Sequence, residues 1–399
     1  MYIRESGVRG PSRPDLPVRP PAPIPVMLTP VAFHRTAICD LSTDCMFWSG
    51  RSCWEGQTRD MPIAENAIAR IARVSSQLAH FSALLGAGYT PRALAAKVDR
   101  GDFLRLRPGW YVPAERWREW HAEDRQLALV QLVQSEARSS PIFSHYSAAA
   151  LHGLPLDDRS RAVAHVIAHP GGVGASSSRL KRHRMQLDSP EITQVGPYLC
   201  TTPERTVRDL ALSAPRPLAL SVADAYLRDN FRVERHIDEV SVADWRDRLG
   251  ERAAEIPGQR GVRTVRWIAA FADARADSPL ESVSRYHLEK LGFQVAIQVP
   301  VPARSRGNYY LDFEFEGLKF FGECDGKNKY TDPDLLSGET AEERLYAEKR
   351  RADWIEATTQ KRIIRWGWPD VGTTRGFGLQ LQAFGVPLPA RGRVLLGQA

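Results

Sequence analysis

Two carboxylates on neighbouring strands have the residue types and spacing needed to hold a divalent cation. Residues 309–327 alternate apolar and polar side chains, which predicts a β-hairpin that turns at Glu316-Gly317. In this register Asp312 faces Phe321, and Asp312 and Glu323 become diagonal neighbours about 7–8 Å apart at the backbone. Mg²⁺ or Mn²⁺ takes oxygen ligands, and a bound ion can activate water against a phosphate. The hairpin therefore predicts Asp312 and Glu323 as ligands of Mg²⁺ (or Mn²⁺).

The same hairpin also fits a plain antiparallel sheet with charges on its solvent face. Glu314 facing Lys319 is an ordinary cross-strand pair in that interpretation. Gly322, just before Glu323, removes a side chain where a backbone or a ligand could approach. The predicted apolar face consists of Leu311, Phe313, Phe315, Leu318, Phe320 and Cys324.

The pattern Asp-(about ten residues)-Glu-x-Asp-Gly at 312–326 resembles the restriction-endonuclease-like superfamily, in particular its branch related to very-short-patch-repair endonucleases. The flanks agree with this resemblance. Residues 278–293 are similar to the first helix of that fold, 348–354 to the helix after the core hairpin, and 362–368 to the closing strand. The resemblance covers about residues 277–385 and implies hydrolysis of DNA phosphodiester bonds.

The resemblance also implies roles for residues outside the hairpin. Glu281 matches the acid of the first helix and would assist the metal directly or through water. The superfamily often has a lysine two residues after the second acid, where this sequence has Asp325. Lys327 or Lys349 could supply the displaced positive charge, and Asp325 could hold a second ion or orient the water. Without such a substitute, the domain is a degenerate nuclease kept for DNA or protein binding.

A DNA-reading module is predicted at 65–115. Thr90-Pro91 is typical of a helix start, Gly101 of a helix end, and 103–112 of a tight hairpin. Helix, turn, helix and basic hairpin is the order of a winged helix-turn-helix, whose cations would contact the phosphates of double-stranded DNA. A small helical domain with solvated arginines is the alternative. The predicted DNA contacts are Arg92 and Lys97 on the recognition helix and Arg105 and Arg107 on the wing.

The middle of the chain resembles the AbiEi-type antitoxin family. The likeness is carried by 143–156, which includes Ser-Ala-Ala-Ala-Leu-His-Gly-Leu-Pro, and by 199–210. With the preceding winged helix it covers about 65–235. It implies operator binding, a following domain that contributes to repression or antitoxicity, and a nucleotidyltransferase-like toxin as a possible partner. Two functions stay open: a metal-dependent DNA endonuclease, and a non-enzymatic repressor or antitoxin.

Composition bounds the architecture. With 399 residues, a net charge of +7 and a hydrophobic fraction of 43%, the chain predicts several globular domains and a modest preference for polyanions. No apolar run approaches the roughly 20 residues that span a bilayer, so we expect a cytoplasmic protein without a membrane partner. We also expect no small-molecule substrate. The predicted fold class is mixed α/β: a disordered tail or mis-called start at 1–60, the winged helix at 65–115, an α/β module at 120–255 and the endonuclease-like domain at 275–390.

Three further features of the middle segment admit simpler interpretations. His145 and His152 are seven residues apart and could share a helix face, but no acid stands at a supporting spacing. Ser144 is typical of a helix start. Asp209 is expected to be a structural ion-pair partner. The basic run 179–184 fits either a phosphate-tracking surface or a solvated strand edge.

Overall fold

The computed structural model describes residues 63–157, 162–168, 176–325 and 341–398. The predicted tail at 1–60 and Lys327 lie outside these ranges. Helices and several mixed sheets together confirm the predicted α/β class. Within the described ranges, none of the helices combines the length and the apolar character that crossing a membrane requires.

The first part of the chain forms helices around a small antiparallel sheet. Its elements are α1 (Ile63–Ser75), β1 (Ala79–His80), α2 (Phe81–Gly86), α3 (Pro91–Asp99), β2 (Phe103–Arg107) and β3 (Trp110–Pro113), with strand order β1-β3-β2. The Thr90 hydroxyl accepts a hydrogen bond from Ala93 N–H and caps α3, and Pro91 occupies the first turn, as predicted. Gly109, with φ of 78°, allows the turn between β2 and β3.

The middle part is built on a five-stranded sheet. Its elements are α4 (Ala114–Glu119), α5 (Ala122–Glu136), β4 (Ile142–Phe143), α6 (His145–Leu151), β5 (Ala164–Ile167), β6 (Leu180–His183), β7 (Ile192–Val195), β8 (Tyr198–Thr201) and α7 (Pro203–Ser213). The strand order β6-β5-β4-β8-β7 puts β6, and with it the basic run 179–184, at a sheet edge. Buried side chains of α1, α5 and this sheet, among them Ile71, Leu129 and Phe143, belong to one hydrophobic cluster. The first two parts of the chain therefore share a core.

A helical layer follows, as expected for the segment between the middle and the C-terminal parts. It contains α8 (Arg216–Phe231), β9 (Arg232–Val233), β10 (His236–Ile237), α9 (Glu239–Ala254) and α10 (Val262–Phe271). The fully buried Trp245 of α9 packs in one cluster with side chains of α7, α8 and α10.

The C-terminal part is a four-stranded sheet with a helix against each face. Its elements are α11 (Pro279–Leu291), β11 (Val295–Pro302), β12 (Asn308–Phe315), β13 (Phe320–Cys324), α12 (Ala341–Thr359), β14 (Arg362–Trp366), α13 (Thr374–Ala383) and α14 (Ala390–Leu396). The strand order is β11-β12-β13-β14, antiparallel for the first three strands, with β14 parallel to β13. Leu288 of α11 belongs to the cluster on one face and Ile355 of α12 to the cluster on the other.

The predicted hairpin register is wrong by two residues. Glu314 pairs with Phe321 in the β12–β13 ladder, because four residues, 316–319, connect the strands instead of two. The Glu314 carboxylate consequently contacts Lys361 of the crossover and not Lys319. An even shift of register keeps each side chain on its face, so most of the predicted facing survives.

Leu311 is the exception to the predicted facing. Phe313 and Phe315 lie in the cluster beside α11, whereas Leu311 lies in the cluster beside α12. The ladder between β11 and β12 omits the pair Gln298–Asp312, which lies between these positions, and Gln298 has φ of 52°. A left-handed residue of this kind interrupts the regular pleat, and strand alternation alone could not anticipate it.

The prediction that Gly322 leaves room for a backbone or a ligand is wrong, because the indole of Trp366 fills that space. The Trp366 Nε1–H donates to Ser284 Oγ at 2.8 Å, which holds the ring in place. A Cβ at position 322 would overlap the indole, so we expect Gly322→Ala to lower the free energy of unfolding by about 1–3 kcal/mol. Urea denaturation measures this. The matched control is Gly250→Ala in α9, where an added methyl group meets open space, and equal stability of the two variants would contradict the packing described here.

Candidate functional site

Glu281 is buried at the start of α11 and is held by the helix cap. Ser278 is the N-cap residue, and its hydroxyl accepts from Glu281 N–H at 3.2 Å and donates to Glu281 Oε1 at 2.9 Å. Asp277 N–H donates to Glu281 Oε2 at 2.9 Å. The side chain is therefore fixed at a helix N-terminus, where the helix dipole favours a negative charge.

The carboxylates of Glu281 and Asp312 converge on the amide of Gln298. Gln298 Nε2 donates to Glu281 Oε2 at 3.0 Å and to Asp312 Oδ1 at 3.3 Å. Arg235 Nη1 donates to Gln298 Oε1 at 2.7 Å, and since arginine only donates, it fixes the amide with its nitrogen towards the acids. Cys324 N–H donates to Asp312 Oδ2 at 2.7 Å. Three strands and one helix thus position two acids side by side.

The carboxylates of Glu281 and Asp312 are close enough to affect each other's ionisation. Burial, followed by the negative charge of Asp312, raises the pKa of Glu281 to about 7. Two neighbouring carboxylates resist simultaneous ionisation, and a hard cation between them removes that penalty. The donor set of Glu281 and Asp312 therefore fits Mg²⁺ or Mn²⁺.

Glu323 is a neighbour of Asp312 in the sheet, but its carboxylate contacts other residues. The β12–β13 register, carried one residue further, places it opposite Asp312. Its carboxylate accepts from Arg351 at 2.6 Å and from Arg365 at 2.9 Å. Over the described ranges, Glu281, Asp312 and Glu323 do not form a group whose ligand atoms all lie within 4.8 Å of one another. The structure thus brings two of the three predicted acids together and pairs the third with arginines, so Glu323 as a metal ligand stays a prediction.

The structure describes Asp325, which stands at the usual lysine position, and Lys349, one of the two predicted substitutes for that lysine. Asp325 is exposed after the end of β13, where its backbone N–H donates to Trp366 O at 2.8 Å. Lys349 is exposed on α12. The nearest cations that the structure shows at Glu323 are Arg351 and Arg365, which sequence reasoning missed. Arg365 could have been predicted once β14 was paired in parallel with β13, because that pairing places Arg365 directly beside Glu323.

The raised pKa of Glu281 has a measurable consequence for stability. With divalent cations chelated, the folded protein binds a proton at Glu281 more tightly than the unfolded chain does, so the free energy of unfolding should fall as pH rises from about 4.5 to about 7. The loss is up to about 3 kcal/mol at 1.4 kcal/mol per pKa unit. We expect Glu281→Gln to remove this component. Urea denaturation at several pH values in EDTA measures it, and a pH-independent difference between the two proteins would contradict the assignment.

Two of the four predicted DNA contacts are exposed without a salt bridge to any described residue. Arg92 on α3 and Arg105 on β2 are exposed. Lys97 pairs with Asp102 at 3.4 Å, and Arg107 is bound at 2.6 Å to an acid of α5, with 15% of its side chain exposed. Arg92 and Arg105 are therefore the stronger candidates for phosphate contacts.

His145 and His152 of the middle segment contact different partners. His152 Nε2 lies 2.7 Å from Thr201 O, and its ring is buried. His145 instead stacks on His183, with ring centroids 3.6 Å apart. Asp209 accepts from Arg205 Nε at 2.8 Å, which confirms the expected ion pair.

Comparison with known proteins places the chain near relatives without a described function. No family model matches it. Two uncharacterized proteins of Mycobacterium tuberculosis, from strains CDC 1551 / Oshkosh and ATCC 25618 / H37Rv, are each 28% identical to it over 188 residues. The match covers 47% of this chain and 63% of each relative, so it spans less than two thirds of their length.

Proposed function

We propose that this chain is a DNA-binding protein whose C-terminal part is a Mg²⁺-dependent endonuclease that hydrolyses DNA phosphodiester bonds. The observation that carries the proposal is the pair of carboxylates, Glu281 and Asp312, joined by the amide of Gln298. A buried acid with a pKa raised to about 7 beside a second acid is a costly arrangement for stability alone. DNA as substrate implies a cytoplasmic location.

The order of elements supports the same proposal. A helix, three antiparallel strands, a crossover helix and a parallel fourth strand follow one another from α11 to β14. This is the order expected from the resemblance to the restriction-endonuclease-like superfamily. In that framework Glu281 and Asp312 lie at the irregular point of the sheet, where Gln298 interrupts the β11–β12 ladder.

Each residue at the site has a distinct proposed task. Glu281 and Asp312 would hold Mg²⁺ or Mn²⁺, which when bound activates water and neutralises charge on the phosphate. Gln298 sets the spacing of the two acids, and Arg235 sets the orientation of Gln298. Arg351, bound to Glu323, would supply the positive charge that the superfamily often takes from a lysine.

The test is nicking of supercoiled plasmid by the wild-type protein. We expect conversion to open circles with Mg²⁺ or Mn²⁺ and none with EDTA. The protein should retard the plasmid on a gel both with the metal and with EDTA, because we expect DNA association not to depend on the metal. Retardation without nicking at any metal concentration would reject the endonuclease and leave a DNA-binding regulator.

The DNA-binding part of the proposal rests on Arg92 and Arg105. We expect Arg92→Ala with Arg105→Ala to weaken binding to duplex DNA and to lower the slope of log affinity against log salt by about two, roughly one per lost phosphate contact. Fluorescence anisotropy at several salt concentrations measures this. Arg263→Ala, an exposed arginine of α10, is the control. An unchanged slope in the double variant would remove these two residues from the interface.

A non-enzymatic repressor or antitoxin is the second candidate. Glu323 is occupied by two guanidinium groups, and Asp325 stands where the superfamily often has lysine. Both features are what a degenerate nuclease would carry. In this case the chain would bind operator DNA and a nucleotidyltransferase-like toxin. Co-purification with such a toxin, together with no nicking of the plasmid, would favour this second candidate.

A further inference from the structure

Three histidines from separate elements meet in the middle part of the chain. His145 begins α6, His165 lies in β5 and His183 ends β6. One nitrogen of each ring lies within 4.8 Å of the other two, and over the described ranges this is the one such group of three or more His, Cys, Asp or Glu side chains. His183 Nε2 lies 2.9 Å from His165 Nδ1. Three imidazoles that converge in this way form a potential ligand set for a transition metal.

The backbone holds His145 in an unusual conformation. Its φ is 50°, a left-handed value that is unfavourable for a non-glycine residue. This conformation sets the His145 ring against His183, with an interplanar angle of 14°. Parallel pairing of β5 with β6 brings the other two rings to the same place. The arrangement is therefore specified by the fold of both strands and the helix start.

A buried carboxylate lies beside the cluster, and one of its oxygens accepts no hydrogen bond within the described ranges. Asp209 is 1% exposed, and its Oδ2 has no hydrogen-bond partner among the described residues. This oxygen lies 4.0 Å from His145 Nδ1. Its Oδ1 is taken by Arg205. A buried carboxylate oxygen in a folded protein normally has a polar partner, and a cation held by the adjacent histidines would supply one.

A cavity gives access to the cluster. It has a volume of about 320 Å³ and is lined by His145, Asp209, Lys181 and Met185, among others. Burial lowers the pKa of His145 to about 2, of His165 to about 3 and of His183 to about 4, so all three rings are neutral at pH 7. Neutral imidazole is the form that binds metal.

We propose that His145, His165 and His183 form a binding site for a divalent transition metal of the Zn²⁺ class, with the carboxylate of Asp209 balancing its charge. His145 lines the cavity, so water or a ligand that enters it could take the fourth position, as in three-histidine zinc sites. Zinc–nitrogen bonds of about 2.0–2.1 Å in tetrahedral geometry need about 3.4 Å between ligand nitrogens. The nitrogens of the His165–His183 pair therefore have to move about half an ångström apart. The His145 ring also has to turn out of its stack on His183, because an imidazole lone pair lies in the plane of its ring. The site is independent of the proposed endonuclease.

Metal content of the full-length parent protein is the first test. The full chain, purified without a histidine tag and carrying Cys39→Ser, Cys45→Ser and Cys53→Ser, is incubated with Zn²⁺, dialysed and measured by mass spectrometry. We expect one Zn²⁺ per chain, a rise in melting temperature on adding Zn²⁺, and visible absorption bands of a tetrahedral complex when Co²⁺ replaces it. Absence of bound Zn²⁺ together with an unchanged melting temperature overturns the site, whatever the variants do.

Variants then assign the ligands. We expect His183→Gln and His165→Gln each to weaken Zn²⁺ binding at least about 100-fold, since loss even of outer-shell partners costs 10–100-fold. His121→Gln, at an exposed position before α5, is the matched control and should bind as the parent does. Circular dichroism shows whether each variant is folded. Parent-like Zn²⁺ affinity in a folded His183→Gln protein rejects the assignment.

Discussion

Asp312→Asn is expected to lower the rate of metal-dependent DNA cleavage by about 1,000-fold. A catalytic metal supplies several kcal/mol of transition-state stabilisation, and each 1.4 kcal/mol is a factor of ten in rate. The substitution removes the charge of one of the two converging acids but keeps the side chain's size and its acceptor for Cys324 N–H. Single-turnover cleavage of a labelled duplex with saturating protein measures the chemical step without the contribution of DNA binding.

The matched control for this prediction lies on the same strand. Glu314→Gln removes a charge two residues away, on an acid that pairs with Lys361 and contacts neither Glu281 nor Gln298 in the described structure. We expect its cleavage rate to stay within a few-fold of the wild type. An equal loss of cleavage rate in both variants would mean that the total negative charge of β12 matters and not Asp312 in particular. An unchanged cleavage rate in the Asp312→Asn protein would remove Asp312 from the metal site.

The largest effect on stability is expected at the ion pair between α8 and α11. Arg285 Nη2 donates to both oxygens of Asp224 at 2.8 and 2.7 Å, and the residues are 6% and 1% exposed. Burial outweighs the arginine and raises the pKa of Asp224, so the pair carries a large desolvation cost. Asp224→Ala leaves the buried guanidinium with Asp273, 3.8 Å away, as its remaining acidic neighbour, and we expect a loss of about 3–5 kcal/mol in the free energy of unfolding.

Chemical denaturation tests this expectation against an exposed pair. Glu255→Gln breaks the contact with Arg252, which is 3.2 Å long and half exposed, and should cost no more than about 1 kcal/mol. Replacing both Asp224 and Arg285 by apolar residues of similar size is expected to recover much of the loss. If Asp224→Ala unfolds like the control, the two helices are held by apolar packing alone.

Local features of the sequence predicted local structure well. Thr90 before Pro91 and Ser278 before Pro279 each marked a helix start, because a hydroxyl cap and a proline in the first turn act within a few residues. Strand alternation placed Phe313 and Phe315 in the core for the same reason.

The site itself needed information that local patterns do not contain. Gln298 looks like any polar strand residue, and its role follows from a left-handed backbone and from Arg235, 63 positions earlier in the chain. The hairpin register depended on whether two or four residues form the connection, and both fit the alternation. The cluster of His145, His165 and His183 depends on a parallel strand pair and a helix start, which no spacing along the chain reveals.

The proposed function depends on the binding of a divalent cation by Glu281 and Asp312 together. Electron paramagnetic resonance of free Mn²⁺ during titration measures this directly, with His165→Gln in both proteins so that the histidine cluster does not contribute. We expect one Mn²⁺ per chain in the protein with both acids and none at the same concentrations when Asp312→Asn is added. Equal Mn²⁺ binding by the two proteins, or none by either, would contradict the metal site and with it the endonuclease.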